Sequence, residues 1–173
     1  MTFKDLGLKE ELNKAVEDLG FEQAMPIQEK AIPTILYNDV NLIALAQTGT
    51  GKTAAFGLPI LNKIDTEIDH TQALIICPTR ELCIQIANDC KKFAKYIKDL
   101  RIVPVYGGAS IEVQIKELKR TAHIVVATPG RLNDLLLRKK VSISKVKYVV
   151  LDEADEMLNM CFKDDLDNIL FKT

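Results

Sequence analysis

A glycine-rich stretch followed by lysine and threonine is the part of this sequence that points most directly to chemistry. Residues 46–53 have the sequence AQTGTGKT. Gly49 and Gly51 can turn backbone amides inward around phosphate oxygens. Lys52 can reach the outer phosphates, and Thr53 can offer its hydroxyl to Mg²⁺. The stretch therefore predicts a nucleoside triphosphate site.

A pair of adjacent carboxylates supplies the second half of such a site. Asp152 and Glu153 follow directly on an apolar run. One carboxylate can hold a magnesium ion through water, and its neighbour can accept a proton from an attacking water. An Asp-Glu pair alone is a weak signal, but together with Lys52 and Thr53 it predicts hydrolysis of ATP or GTP.

Short apolar runs alternate with helix-period segments along the chain, and these elements must position the two stretches. Continuous apolar runs are typical of strands that are buried on both faces of a sheet. A strand-helix alternation indicates βαβ units, and hence an α/β fold with a parallel sheet. The predicted strands are 41–46, 73–77, 101–106, 123–127 and 147–151, and the predicted helices are 8–20, one that begins at Pro26, 82–97 and 110–120.

The composition is that of an ordinary globular chain. It has 173 residues, 47% of them hydrophobic and 27% charged, and a net charge of −1. This balance neither demands nor excludes nucleic acid, because a local basic patch does not show in the net charge. We expect no secretory signal and no membrane span, and buried free thiols for the four cysteines in a reducing cytoplasm.

Six ordered motifs give the chain a resemblance to the DEAD-box family of ATP-dependent RNA helicases. The matching stretches are AQTGTGKT at 46–53, PTREL at 78–82, Gly107-Gly108, TPGR at 128–131, DEAD at 152–155, and GFEQAMPIQ at 20–28, which is similar to the family's Q motif. Phe3 stands 17 residues before Gly20, where the family has an isolated aromatic residue. In this family the loop begins with alanine, so Ala46 is no defect.

The resemblance implies a three-layer RecA-like P-loop fold with a mostly parallel central sheet. It also implies a Q-motif helical region at 1–37 and a RecA-like ATP-binding domain at 38–173. Residues 156–173 contain no Ser-Ala-Thr motif, which the family carries after DEAD. We therefore expect a domain that is incomplete after the DEAD strand and its helix, and that lacks a second RecA-like domain.

For the nucleotide, the resemblance implies ATP together with Mg²⁺. Gln28 matches the glutamine that hydrogen-bonds adenine, and Phe3 matches the ring that packs near the base. Lys52, Asp152 and Glu153 are the implied catalytic residues, with Thr53 and Asp152 at the metal. The implied phosphate loop consists of Ala46, Gln47, Thr48, Gly49, Thr50, Gly51, Lys52 and Thr53.

For the partner, the resemblance implies RNA that is held by its sugar-phosphate backbone without regard to sequence, and Asp155 as the link from the ATP site to strand separation. Arginine forks, hydroxyls and glycine amides suit phosphate oxygens. The implied RNA-binding residues are Thr79, Arg80, Gly107, Gly108, Thr128 and Arg131. Before the resemblance is considered, the residues alone do not point to RNA.

Two departures from the family have physical consequences. In related folds the Ser-Ala-Thr strand lies between the phosphate-loop strand and the DEAD strand, so its loss would leave unpaired strand edges. We therefore expect this chain alone to be poorly stable or to self-associate. Cys161 stands where the family often has glycine, which matters only if that position needs a positive φ.

Two other functions compete with an ATP-dependent RNA helicase. One is a non-catalytic adaptor that clamps RNA and holds ATP without turnover, and the intact Lys52, Asp152 and Glu153 weigh against it. The other is a P-loop translocase that acts on DNA, against which Gln28 and the DEAD spelling weigh.

Overall fold

The computed structural model describes residues 1–38, 40–47 and 49–173. These residues form two compact units. The first comprises Met1–Asp65 and Asn88–Asp99, and the second comprises Thr66–Ala87 and Leu100–Thr173. Among the described residues, no helix has the length and apolar character that crossing a membrane requires.

The first unit is helical. A 3₁₀ turn at Phe3–Leu6 precedes α1 (Glu10–Asp18), α2 (Pro26–Tyr37) and α3 (Lys52–Lys63). The end of α4 (Arg80–Phe93), a helix that begins in the second unit, completes it. Helix α3 can approach α4 closely at Gly57, where an added Cβ would come within 3.3 Å of the Cys90 sulfur.

The second unit is built on a four-stranded sheet in which every pairing is parallel. The strands are β1 (Ala73–Ile76), β2 (Ile102–Val105), β3 (Ile124–Ala127) and β4 (Tyr148–Leu151), in the order β2-β3-β1-β4. Its helices, besides the start of α4, are α5 (Ile111–Leu118), α6 (Pro129–Leu137), α7 (Ala154–Asn159) and α8 (Lys163–Leu170). The predicted α/β fold with a parallel sheet is confirmed.

The core of the second unit follows from the two-residue repeat of the strands. Leu74 and Ile76 lie in register with Val125 and Ala127, so these side chains share one face of the sheet. That face packs with residues of α6, α7 and α8 into one buried cluster, which includes Leu132, Leu135, Met157, Leu166 and Ile169.

The prediction of a strand at 41–46 is wrong. Residues 40–47 adopt no regular secondary structure, and the side chains of Ile43 and Leu45 are 91% and 94% exposed. A strand is stable only with a hydrogen-bonded neighbour, and residues 40–47 pair with none of the described strands. In the described part of the sheet, β4 is an edge strand that leaves Val149 and Leu151 partly exposed.

All four cysteines were expected to be buried free thiols, and three of them are. Cys77, Cys83 and Cys90 are buried free thiols, whereas Cys161 is exposed. Burial raises the pKa of Cys90 to about 12. The pKa of Cys77 is also raised, because its thiol hydrogen-bonds with Cys83, is buried, and lies near the carboxylates of Asp152 and Glu153.

We expect a thiol reagent at pH 8 to label one cysteine in the folded chain and four after denaturation, because a buried neutral thiol is a poor nucleophile. Colorimetric thiol titration measures this directly. In Cys161→Ala the fast labelling should disappear. Rapid labelling of a second cysteine in the folded chain would contradict the burial of the other three.

Cys161 has a φ of +62° and therefore does adopt the left-handed conformation that favours glycine. We expect Cys161→Gly to stabilise the chain by about 0.5–1 kcal/mol, because it removes a strained Cβ at some cost in unfolded-state entropy. Urea unfolding measures the change. Cys161→Ala keeps the Cβ and should be neutral, and an equal gain in both variants would assign the effect to the thiol instead.

Candidate functional site

The predicted phosphate loop lies in the first unit and leads directly into α3. Gly49 and Gly51 both have left-handed backbones, with φ of +79° and +80°. The Thr50 hydroxyl donates a hydrogen bond to the Gln47 carbonyl at 2.6 Å, which closes the turn. Ala46 and Gln47 precede this turn, whereas Thr48 lies outside the described residues.

Helix α3 begins at Lys52, with Thr53 in its first turn. The first amides of an α-helix have no partner within the helix and point outward at its positive end. Both side chains are half-buried at this end. The loop exit therefore offers backbone N–H groups, an ammonium group and a hydroxyl, which is a chemistry that suits phosphate oxygens.

Gln28 connects the start of α2 to the exit of this loop. Its side chain is buried, donates from Nε2 to the Gly51 carbonyl at 3.2 Å, and accepts the Met25 N–H at Oε1 at 2.9 Å. The Gly51 carbonyl also accepts the Ala55 N–H at 3.0 Å. A side-chain amide has two donor hydrogens and two acceptor lone pairs. Gln28 thus keeps one of each beyond these bonds.

Phe3, the ring expected to pack near the base, belongs to a cluster of three aromatic side chains in the first unit. Phe3 is only 4% exposed and packs against Phe21, with ring centroids 6.1 Å apart. Phe21 also packs edge-on against Phe93 at 6.4 Å and is 41% exposed. The accessible ring of this cluster is therefore Phe21. Sequence reasoning missed it, although it lies in the GFEQAMPIQ stretch beside Gly20.

The carboxylate pair lies in the second unit, at the carboxyl end of β4. The Asp152 N–H donates to the Ile76 carbonyl at 2.9 Å, which extends the pairing of β4 with β1 by one residue, and the Asp152 side chain is buried. Glu153 has a φ of +54° and precedes α7. A left-handed backbone at a glutamate costs on the order of 1–3 kcal/mol. This strained turn ends the strand and places Asp155 in the first turn of α7.

The residues predicted for RNA follow β1, β2 and β3 at the same edge of the sheet. Thr79 accepts the Leu82 N–H at its hydroxyl at 3.2 Å and so caps the start of α4. Thr128 precedes α6 as its N-cap residue, and its N–H donates to the Val105 carbonyl at 3.0 Å. Both hydroxyl residues therefore stand where a strand turns into a helix.

The two arginines contact the segment that follows β2, which contains Gly107 and Gly108. Arg80 lies 5.3 Å over the ring of Tyr106 and donates to the Gly108 carbonyl at 3.4 Å. Arg131 donates to the Ala109 carbonyl at 3.0 Å. The structure thus brings Arg80, Arg131 and the glycine pair together through contacts within the second unit.

Tyr106 and Gln114 complete this arrangement, and sequence reasoning missed both. Gln114 is buried, accepts a hydrogen bond from Arg131, and bonds to both peptide groups of Tyr106. A glutamine in an amphipathic helix gives no sequence signal of such a role. For Tyr106, the only available signal was an aromatic residue directly before two glycines.

Comparisons with known proteins found relatives of this chain. The family model described as DEAD/DEAH box helicase matches residues 25–173. The chain is 49% identical over 170 residues to the ATP-dependent RNA helicase DeaD of Haemophilus influenzae, and 52% identical over 169 residues to the DEAD-box ATP-dependent RNA helicase CshA of Bacillus cereus. Both alignments cover 98% of this chain, which spans 28% and 32% of the lengths of these relatives.

Two solved structures have the same fold. A DEAD box protein from Methanococcus jannaschii superposes with a TM-score of 0.93 at 43% identity, over 99% of this chain and 47% of that one. A variant of Dbp5 from S. cerevisiae, solved in complex with Gle1 and IP6, superposes with a TM-score of 0.89 at 34% identity, over 99% of this chain and 43% of that one. The fold is therefore that of DEAD-box RecA-like domains.

We expect Gly51→Ala to destabilise the chain more than Gly20→Ala, by about 1–3 kcal/mol, because it also displaces a buried hydrogen-bonded group. Both glycines are left-handed, but a Cβ at Gly51 would lie 2.2 Å from Gln28 Nε2, whereas a Cβ at Gly20 has nothing within 4 Å. Urea unfolding without nucleotide measures the difference. An equal loss in both variants would show that backbone strain alone acts at Gly51.

Proposed function

This chain belongs to the DEAD/DEAH box helicase family, and on that premise we propose that it forms the ATP-binding domain of an ATP-dependent RNA helicase. In the whole protein, binding and hydrolysis of ATP would be coupled to clamping of an RNA strand and local unwinding of a duplex. The observation that carries this proposal is the left-handed Gly49–Gly51 turn at the start of α3, buttressed by Gln28. The relatives that bear the name of RNA helicase support it.

The nucleotide would be bound largely through backbone groups. The N–H groups around Gly49, Gly51 and the first turn of α3 would cradle the phosphates, with Lys52 at the outer ones. The donor and the acceptor that Gln28 has left can pair with the N6 amino group and a ring nitrogen of adenine. Guanine offers two acceptors on its corresponding edge, so this pairing favours ATP over GTP. Phe3, together with the more exposed Phe21, would lie near the base.

Magnesium fits the donor groups that the chain offers. Thr53 supplies a hydroxyl and Asp152 a buried carboxylate, and hard oxygen donors are the ligands that Mg²⁺ prefers. The ion would neutralise the charge that develops on the phosphates. Glu153 would orient the attacking water and accept its proton, and it lies in the left-handed turn between β4 and α7.

RNA would be bound at the carboxyl edge of the sheet in the second unit. Arginine guanidinium groups, threonine hydroxyls and glycine amides match phosphate and sugar groups and do not distinguish bases. Binding should therefore be insensitive to sequence and sensitive to salt. Asp155, in the first turn of α7, would link this surface to the nucleotide.

We propose that the 173 residues on their own are weakly active, and that the protein works in the cytoplasm. The chain spans about a third of the length of the named relatives. In phosphoryl-transfer enzymes of this kind, arginine fingers contribute ~10³–10⁵ in rate, and in this family they come from the second RecA-like domain. The exposed residues of β4 also support self-association of the isolated chain.

We expect the 173-residue chain to bind ATP in preference to GTP, to hydrolyse it slowly, and to show little stimulation by RNA. Nucleotide affinity is measured by calorimetry and turnover by phosphate release. Lys52→Ala should lose binding, because the phosphates lose their cation. Glu153→Gln should keep binding and lose turnover, because it keeps the shape but removes the base.

Strong RNA-stimulated turnover by the 173 residues would contradict the proposed weak activity. Equal affinity for GTP would contradict the role of Gln28. Turnover that survives in Glu153→Gln would remove Glu153 as the base. Stimulation by DNA as strong as that by RNA, measured in a chain extended to the length of the relatives, would favour a DNA translocase instead.

A further inference from the structure

Tyr106 follows directly after β2, and its N–H and carbonyl groups have no neighbouring strand to pair with in the described sheet. The Val105 carbonyl accepts the Thr128 N–H, so the polar groups of Val105 face β3. In a parallel strand the N–H and carbonyl of successive residues point to opposite sides. Those of Tyr106 therefore point away from β3. In the described sheet β2 is an edge strand, so these groups need a partner that is not a strand.

Gln114 is that partner. Its side chain projects from α5, is 4% exposed, donates from Nε2 to the Tyr106 carbonyl at 3.0 Å, and accepts the Tyr106 N–H at Oε1 at 3.3 Å. The side-chain amide thus makes the two hydrogen bonds that a neighbouring strand would have made. This pairing holds the chain as it leaves β2, just before Gly107 and Gly108.

The same amide oxygen also orients Arg131. Gln114 Oε1 accepts from Arg131 Nη1 at 3.0 Å, while Arg131 Nη2 donates to the Ala109 carbonyl at 3.0 Å. Because a guanidinium group is planar and rigid, two bonds on different nitrogens fix the direction of the whole group. Three of its five donor hydrogens are left for a ligand.

Arg80 is oriented by the same segment. Its guanidinium carbon lies 5.3 Å from the ring centroid of Tyr106, and its Nη1 donates to the Gly108 carbonyl at 3.4 Å. Gly108 adopts a φ of +78°, which turns this carbonyl. Residues 106–109 therefore contact guanidinium groups from two separate elements, and Gln114 anchors this segment at Tyr106.

We propose that Gln114 is a positioning residue for RNA binding, which sets the direction of Arg131 and, through Tyr106, of Arg80 toward successive phosphates of one RNA strand. Gln114 is buried and does not itself contact the RNA. This inference rests on the proposed function. Its signature is a loss of phosphate contacts that becomes smaller once Arg131 is removed, which a residue that merely stabilises the fold would not produce.

The test uses Gln114→Met in the 173-residue chain, because methionine has a similar length and no hydrogen-bonding amide. Gln85→Met is the matched control, since Gln85 is exposed on α4 of the same unit. Binding of a fluorescent oligouridylate is measured from low to moderate KCl, with thermal melting of each variant. We expect Gln114→Met to bind about tenfold more weakly. The slope of log affinity against log salt should fall by about 0.7 to 1, and the control should match the parent.

A double-mutant cycle separates positioning from stability. In an Arg131→Met background, Gln114→Met should cause a smaller loss of affinity than in the parent, because only its effect on Arg80 remains. Gln114→Glu keeps an acceptor for Arg131 and serves if Gln114→Met fails to fold. A carboxylate beside Arg131 neutralises part of its charge, so this variant should also lower the salt slope, and its loss of affinity should shrink in the Arg131→Met background.

Two results would overturn the proposal for Gln114: additive losses in the cycle, or weaker binding of Gln114→Met with the salt slope of the parent. Binding by Gln114→Met as tight as by Gln85→Met would overturn it as well and leave the proposed function standing. Absence of RNA binding by the parent chain itself would instead overturn the proposed function, and with it this role.

Discussion

Parallel pairing in a common register is the constraint on which the rest of the second unit depends. Ile76 of β1 lies opposite Ala127 of β3 and Leu151 of β4, and Val105 of β2 lies opposite the same Ala127. All four strands therefore end at one level, and every chain that leaves the sheet starts its turn at the same edge. Four short segments that are far apart in sequence become neighbours without any contact specific to their function.

The common edge explains why these turns are chemically unusual. A segment that leaves a strand and enters a helix within one to five residues must reverse its backbone sharply. Here the turns use left-handed residues at Gly108 and Glu153, and hydroxyl-bearing residues at Thr79 and Thr128. The same features expose N–H groups and orient side chains outward, so a single topology supplies both the fold and the chemistry.

The sequence predicted the elements that depend on local composition. Four continuous apolar runs became β1 to β4 within a residue or two of their expected ends, and β1 and β3 are buried along their whole length, as such a run predicts. The run at 41–46 is just as apolar, yet it forms no strand. A strand also requires a neighbour, and that requirement does not appear in the run itself.

The candidate site also contains some features that the sequence predicted and others that it did not. Motifs that act through backbone shape, such as Gly49 and Gly51, were predictable, because only glycine adopts those angles without strain. Gln114 was not predictable, because its importance comes from the unpaired edge of β2, which exists only once the sheet has formed. Phe21 was missed for a similar reason, since its exposure depends on how Phe3 and Phe93 pack around it.

The Gly51 carbonyl has a consequence for control of the nucleotide site. It accepts one N–H from its own helix and one from Gln28. A ligand that reshapes the loop therefore changes the free energy of the contact with Gln28, and thermodynamic linkage makes that effect reciprocal. By the same linkage, a molecule that binds residues 25–28 would change the affinity for phosphate by the factor with which phosphate changes the affinity for that molecule. Residues 25–28 would thus influence phosphate affinity through the Gly51 carbonyl, besides the contact proposed between Gln28 and adenine.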